Sequence, residues 1–165
     1  MELDGLIYKL SNELKWLIGV FIIVLSIGFY SGLLFVGETS SANPNGIEEQ
    51  YLGNEADEEA EIMKFKKSEQ EMLTLVHNHI LSMSIIFFLI GIIMNITKLN
   101  RKLKLFLMIE PFVSVVLTFG GLYLLWKEIL WMKYIVMFSG ALMTFTFTVS
   151  VLVVLSQLMQ SPTKS

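Results

Sequence analysis

"MLTLVHNHILSMSIIFFLIGIIMNIT", residues 72–97, holds no acid, lysine or arginine, and its two histidines lie near its start. About 20 apolar residues in a helix cross roughly 30 Å of hydrocarbon. The stretch therefore predicts a membrane-spanning helix. Three more stretches pass the same test: residues 16–36, 103–126 and 134–159. The predicted fold is all-α, a single membrane domain over residues 1–165. It is an integral membrane four-helix bundle with an acidic extracytoplasmic loop, residues 37–71.

Composition agrees with this. The chain is 54% hydrophobic and 16% charged, with mean hydropathy +0.64. There is no cysteine, so disulfides, thiolate metal sites and c-type haem attachment are excluded. The basic residues form no aromatic-interleaved patch of the kind that binds nucleic acid. Residues 16–36 are too long for the apolar core of a signal peptide, and residues 1–15 are not a basic leader. A retained anchor is expected.

The loops set the expected orientation. Residues 97–104 carry Lys98, Arg101, Lys102 and Lys104 and no acid. Residues 37–71 carry ten acids against Lys64, Lys66 and Lys67. The positive-inside rule places the basic loop and both termini in the cytoplasm, in a bacterial inner membrane. Trp126, Trp131 and Tyr134 form the expected aromatic belt at the outer face. In residues 1–15, Leu3, Leu6, Ile7, Leu10 and Leu14 recur at helical spacing. They fit an amphipathic interfacial helix or an extension of the first span. Residues 37–46 are turn-rich and read as irregular. Ser68 and Glu71 form a capping box that starts the second helix before the membrane.

Chemistry rests on few residues. His77 and His79 sit at the outer edge of the second span and differ by about 200° around the helix. His77 aligns with Ser84 and Gly91, a small and polar stripe expected to face the bundle, where it is a candidate haem ligand. His79 aligns with Met83, one turn on, as a candidate copper or zinc pair. The other reading is a pair of interfacial histidines bonded to water, headgroups or neighbouring helices. Haem b, copper and zinc are the cofactors these residues suit.

Glu110 lies about two turns inside the third span, followed by Pro111. A carboxyl at that depth is costly and faces protein or water, and proline removes a helical hydrogen bond and invites a kink. Asn95, Ser150 and Gln157 are its candidate partners. It reads as a proton relay or as a structural carboxyl. Gly28 and Gly32, and Gly140 with Thr144 and Thr148, form small-residue ridges suited to close helix packing, expected within the bundle. The acidic run Asn54–Glu61 lacks calcium-loop spacing and reads as a solvated face. No catalytic constellation is recognisable, so an enzyme is not expected.

The segments "GIEEQYLGNE" (residues 46–55), "FKKSEQEML" (residues 65–73) and the His-x-His that follows resemble an uncharacterised bacterial family of small four-span inner-membrane proteins. In that family a Gly-Ile-x-Glu-x-Tyr-x-Gly segment precedes a Lys-Ser stretch and a His-x-His at the second helix. The resemblance implies a topology and no reaction. A His-x-His opening a membrane helix is also loosely similar to haem- and copper-binding respiratory membrane proteins, which use further histidines that this chain lacks.

The leading expectation is a small non-catalytic membrane subunit of a respiratory or electron-transfer system, binding haem or metal through His77 or His79. A purely structural or assembly subunit is the alternative, and a proton or ion pathway around Glu110 the third. The lipid bilayer, other membrane subunits or further copies of the chain are the expected partners.

Overall fold

The computed structural model describes residues 3–55 and 62–160, and the acidic run beyond Glu55 falls outside them as far as Glu61. The described residues are all-helical, with four helices long and apolar enough to cross a membrane. They are α1 (Asn12–Ser40), α3 (Glu69–Asn95), the span Arg101–Trp126 and α6 (Met132–Leu158). The third span is built from α4 (Arg101–Val115), a π-helical turn (Val116–Gly120) and α5 (Gly121–Trp126). The chain is a multi-pass membrane protein with a four-helix bundle.

The helices are unequal partners. The third span packs on α3 and on α6, and its most apolar window is 44% buried. The corresponding window of α6 is 39% buried, that of α3 17%, and that of α1 only 6%. The bundle is therefore a three-helix core with α1 leaning on the outside of α6. Two contacts and one buried side chain hold it there. The rings of Phe29 and Phe147 stack at 3.9 Å, the hydroxyls of Tyr30 and Thr148 meet at 2.8 Å, and Ile22 is fully buried.

The small-residue ridges do not pack as their spacing suggests. A Cβ added at Gly28, Gly32 or Gly140 would meet nothing within 4 Å, and both α1 glycines are exposed. Thr144 and Thr148 are half-buried, and Thr148 is the one that reaches α1. Gly121 is the close-packing position, since a Cβ there would lie 2.9 Å from Val136 Cγ2. Spacing reveals which residues share a face, but not whether that face meets protein or lipid.

The long loop after α1 is more ordered than its composition suggests. Ser41 and Ala42 turn the chain with positive φ, and Asn43 caps α2 (Pro44–Leu52), accepting from the Gly46 amide at 2.8 Å. Proline at the first helical position costs no hydrogen bond. Gly46 is there because its neighbour is backbone: a Cβ would sit 1.9 Å from the Ser40 oxygen. Ile47 is buried, and Gly53 (φ +86°) lets residues 62–68 return alongside. Asn54 ties the return, donating to the Ile62 carbonyl and accepting from the Lys64 amide. The Lys67 amide donates to Tyr51 O and Trp126 Nε1 to Lys67 O. Burial raises the Tyr51 phenol above its ordinary pKa. Trp126, expected in an interfacial belt, is instead buried and pinned beneath this cap, while Trp131 and Tyr134 stay exposed.

The other end is closed by the N-terminal segment. Residues 3–10 form no amphipathic α-helix, whereas residues 12–15 extend the first span as the start of α1. Gly5, in the left-handed region, starts a 3-10 turn at Leu6–Lys9, and α1 begins separately with Ser11 as its cap. Ile7 is fully buried and its amide donates to Ile96 O at 3.1 Å. Lys104 binds the segment from the loop, donating to Asp4 at 2.5 Å and to the carbonyls of Asn95 and Thr97. The Lys104 bond holds the Asp4 carboxyl below its ordinary pKa.

Candidate functional site

The capping box at the head of α3 is complete. Ser68 Oγ accepts from the Glu71 amide, and Glu71 accepts from the Ser68 amide at 2.8 Å. Helix α3 thus rises two turns before the histidines. Its buried face runs through Met72, Phe87, Ile90 and Met94, with half-buried Val76 and Met83 on the same stripe. His79 falls on that stripe, and His77 does not. The structure does not turn His77 into the bundle: both histidines are exposed, and it is the His79 ring that stacks on Phe119, at 4.6 Å. The residues aligned with His77 turn inward only further down, at Gly91, because a seven-residue alignment drifts around a 3.6-residue helix.

Leu75 O lies 2.8 Å from His79 Nδ1, so the backbone holds one ring nitrogen and Nε2 is left for another partner. A backbone acceptor on Nδ1 is what fixes a ligating histidine's tautomer and orientation. His79 lines a shallow groove of about 430 Å³ with Ser68, Glu71, Thr74 and Asn78. Met83 follows one turn along, half-buried. Among the described residues no group of three or more His, Asp or Glu side chains stands together to hold a metal.

The second candidate is Glu110 on α4 with Ser150 on α6, two helices that pack on each other. Glu110 is buried and accepts from Ser114 Oγ on its own helix through Oε1. Its Oε2 is buried with no hydrogen-bond partner, and so is Ser150 Oγ on α6. The other expected partners lie elsewhere. Asn95 is exposed, its carbonyl taken by Lys104, and Gln157 makes two bonds to the Lys98 backbone. Helix α4 continues through Pro111, and the irregularity falls later, in the π turn. That turn aims Thr118 at Ser139, hydroxyl to hydroxyl at 2.8 Å, and Phe119 at His79. One residue too many in a helical turn re-aims its neighbours and recurs at functional sites. Nothing in the sequence of residues 116–120 signals it.

Residues 41–165 match the family Aq_1264_TM, a transmembrane helical domain. The chain belongs to that family. No curated protein and no solved structure matches it. The Aq_1264_TM domain starts at the residue after α1 ends, so it holds the cap, α3, the third span and α6. His77, His79, Met83, Asn95, Glu110, Gly140 and Thr144 all fall inside the matched domain; Gly28 and Gly32 fall before it.

Three cations at the cap end are paired with acids across the loops. Lys66 meets Glu128 at 2.7 Å, Lys127 meets Glu69 at 3.4 Å, and Lys133 meets Glu48 at 2.6 Å. Lys127 also lies over the Trp126 ring at 4.5 Å. The exposed pairs are worth little each, but together they close the mouth of the bundle over the buried Trp126.

Proposed function

We propose that the chain is a non-catalytic integral membrane subunit that joins a larger membrane assembly through α1. One observation carries this reading. Helix α1 stands outside the family domain, leans chiefly on α6 among the spans, and turns Gly28 and Gly32 outward with open space above them. Small residues on a lipid-facing surface let a second helix approach closely, where dispersion and interhelical hydrogen bonds drive association. The charge asymmetry of the loops supports an inner membrane with both termini in the cytoplasm.

The test is the size of the assembly extracted from native membranes in mild detergent. Gly28→Leu and Gly32→Leu should shift it to a smaller species while the monomer stays folded. An unchanged size in both variants, or a wild type already monomeric, would remove the reading.

A second reading keeps a specific observation. The hydrogen-bonded Nδ1 of His79 leaves Nε2 free at the mouth of a groove, which supports a haem or metal ligand in an electron-transfer assembly. On this geometry His79 is the ligand and His77 is dispensable. A Soret band, or bound copper or zinc, should then be lost in His79→Ala and retained in His77→Ala. A wild type purified with its native neighbours and carrying neither would overturn it.

A further inference from the structure

Two buried polar atoms without partners stand on helices that pack on each other, and their depth can be worked out. The Thr118–Ser139 hydroxyl pair fixes the antiparallel register of the third span and α6. Glu110 lies eight residues before Thr118, and Ser150 lies eleven after Ser139. At about 1.5 Å per residue both sit on the same side of that pair, roughly one helical turn apart in depth. Each is more than nine-tenths buried. The main chain adds another oxygen at this level. Pro111 has no N–H, so the Leu107 carbonyl lacks its usual helical partner.

Among the described residues no ion pair reaches the carboxyl. The ionisable residues of α3 are Glu69, Glu71, His77 and His79, all within its first three turns at the cap end. Those of α6 are Lys133, bound to Glu48 at the cap, and the exposed Tyr134 beside it. The π turn has none. On α4 itself, Arg101 and Lys102 are exposed and Lys104 is engaged with Asp4. An unpaired carboxylate in a membrane interior is among the costliest groups a protein can bury.

We infer that Glu110 and Ser150 bind one small monovalent cation between α4 and α6: a proton, or an alkali-metal ion in its place. One positive charge cancels the carboxylate: a proton does so on Glu110 Oε2 alone, whereas an alkali ion lying between the helices also gives Ser150 Oγ a partner. The donors are all hard oxygens (a carboxylate, a serine hydroxyl, a carbonyl), which suit a proton or sodium and not a soft metal. The site lies inside the family domain and does not depend on how α1 is used.

Infrared difference spectroscopy of the purified full-length protein in lipid tests this. Spectra are taken from acid to alkaline buffer, in choline chloride and in sodium chloride, in water and in deuterium oxide. In choline chloride at neutral pH we expect a carboxylic-acid carbonyl band that shifts in deuterium oxide and is lost in Glu110→Gln. Ser150→Ala should shift the same band, which keeps the test open if Glu110→Gln fails to fold. If sodium replaces that band with a carboxylate band, the site takes an alkali ion; if sodium has no effect, its cation is the proton. A Glu110 carboxylate band persisting in choline chloride at neutral pH would overturn the inference. So would an acid band that neither exchanges with deuterium nor responds to pH, because that is a closed structural carboxyl.

Discussion

A methyl group at Gly46 would collide with the Ser40 carbonyl, and one at Gly53 would both strain the backbone and approach the Lys66 amide at 2.8 Å. Gly46→Ala and Gly53→Ala should therefore loosen the cap, the latter by about 1–3 kcal/mol from backbone strain alone. Gly28→Ala should leave monomer stability unchanged. Thermal unfolding in detergent ranks the three; an ordering with Gly28→Ala worst would contradict the packing described above. Glu71 belongs to the same scale. The Ser68 amide and hydroxyl hold its carboxyl below the ordinary glutamate pKa. A depressed folded value means the cap is intact above the ordinary range and lost as pH falls through the folded value. Protection of the amides of residues 69–72, taken relative to their intrinsic exchange rates at each pH, should fall on acidification in the wild type and stay nearly flat in Glu71→Gln. The capping box was legible because its chemistry is local. The contact of His79 with Phe119 was not, because two residues 200° apart both suit an interfacial position, and Phe119 is about 40 residues away.

At the scale of elements, every long helix announced itself by length and hydropathy, which are properties of contiguous sequence. Their ends, and the short elements between them, depend on distant neighbours. Helix α2 looked like irregular loop because Pro44, Asn45 and Gly46 are turn formers. Read with Asn43, they are instead a cap and a first turn, held by Ser40. The N-terminal segment has helical spacing, yet the bond from the Ile7 amide to Ile96 breaks it into a 3-10 turn. Lys104 is the clip for that turn. Lys104→Met should free the segment, raising protease sensitivity at Lys9 with α3 and α6 unaffected. Acid should act in the same direction, because the Asp4 carboxyl, held below its ordinary pKa, loses its charge and its hold on Lys104 as pH falls. Equal protease sensitivity in wild type and Lys104→Met would show the clip is not needed.

Over the whole molecule, burial divides the chain into a three-span core under a cap and one peripheral span. The family match, residues 41–165, draws its boundary at the same place. Sequence alone could count four spans but not rank them, since an apolar residue facing lipid and one facing a helix look alike. The charge asymmetry predicts that Ile62, at the cap end, faces outward and Lys102 inward. In intact cells an impermeant thiol reagent should label Ile62→Cys and spare Lys102→Cys; the reverse would invert the topology. The central claim is that α1 is the docking span. Its most direct test is photocrosslinking in native membranes, with the crosslinker placed at Val24 or Ser31 beside the outward glycines, and at Phe138 on the exposed side of α6 as the control. Discrete protein adducts from Val24 and Ser31, and none from Phe138, are the predicted result. Adducts from Phe138 with none from α1 would contradict it.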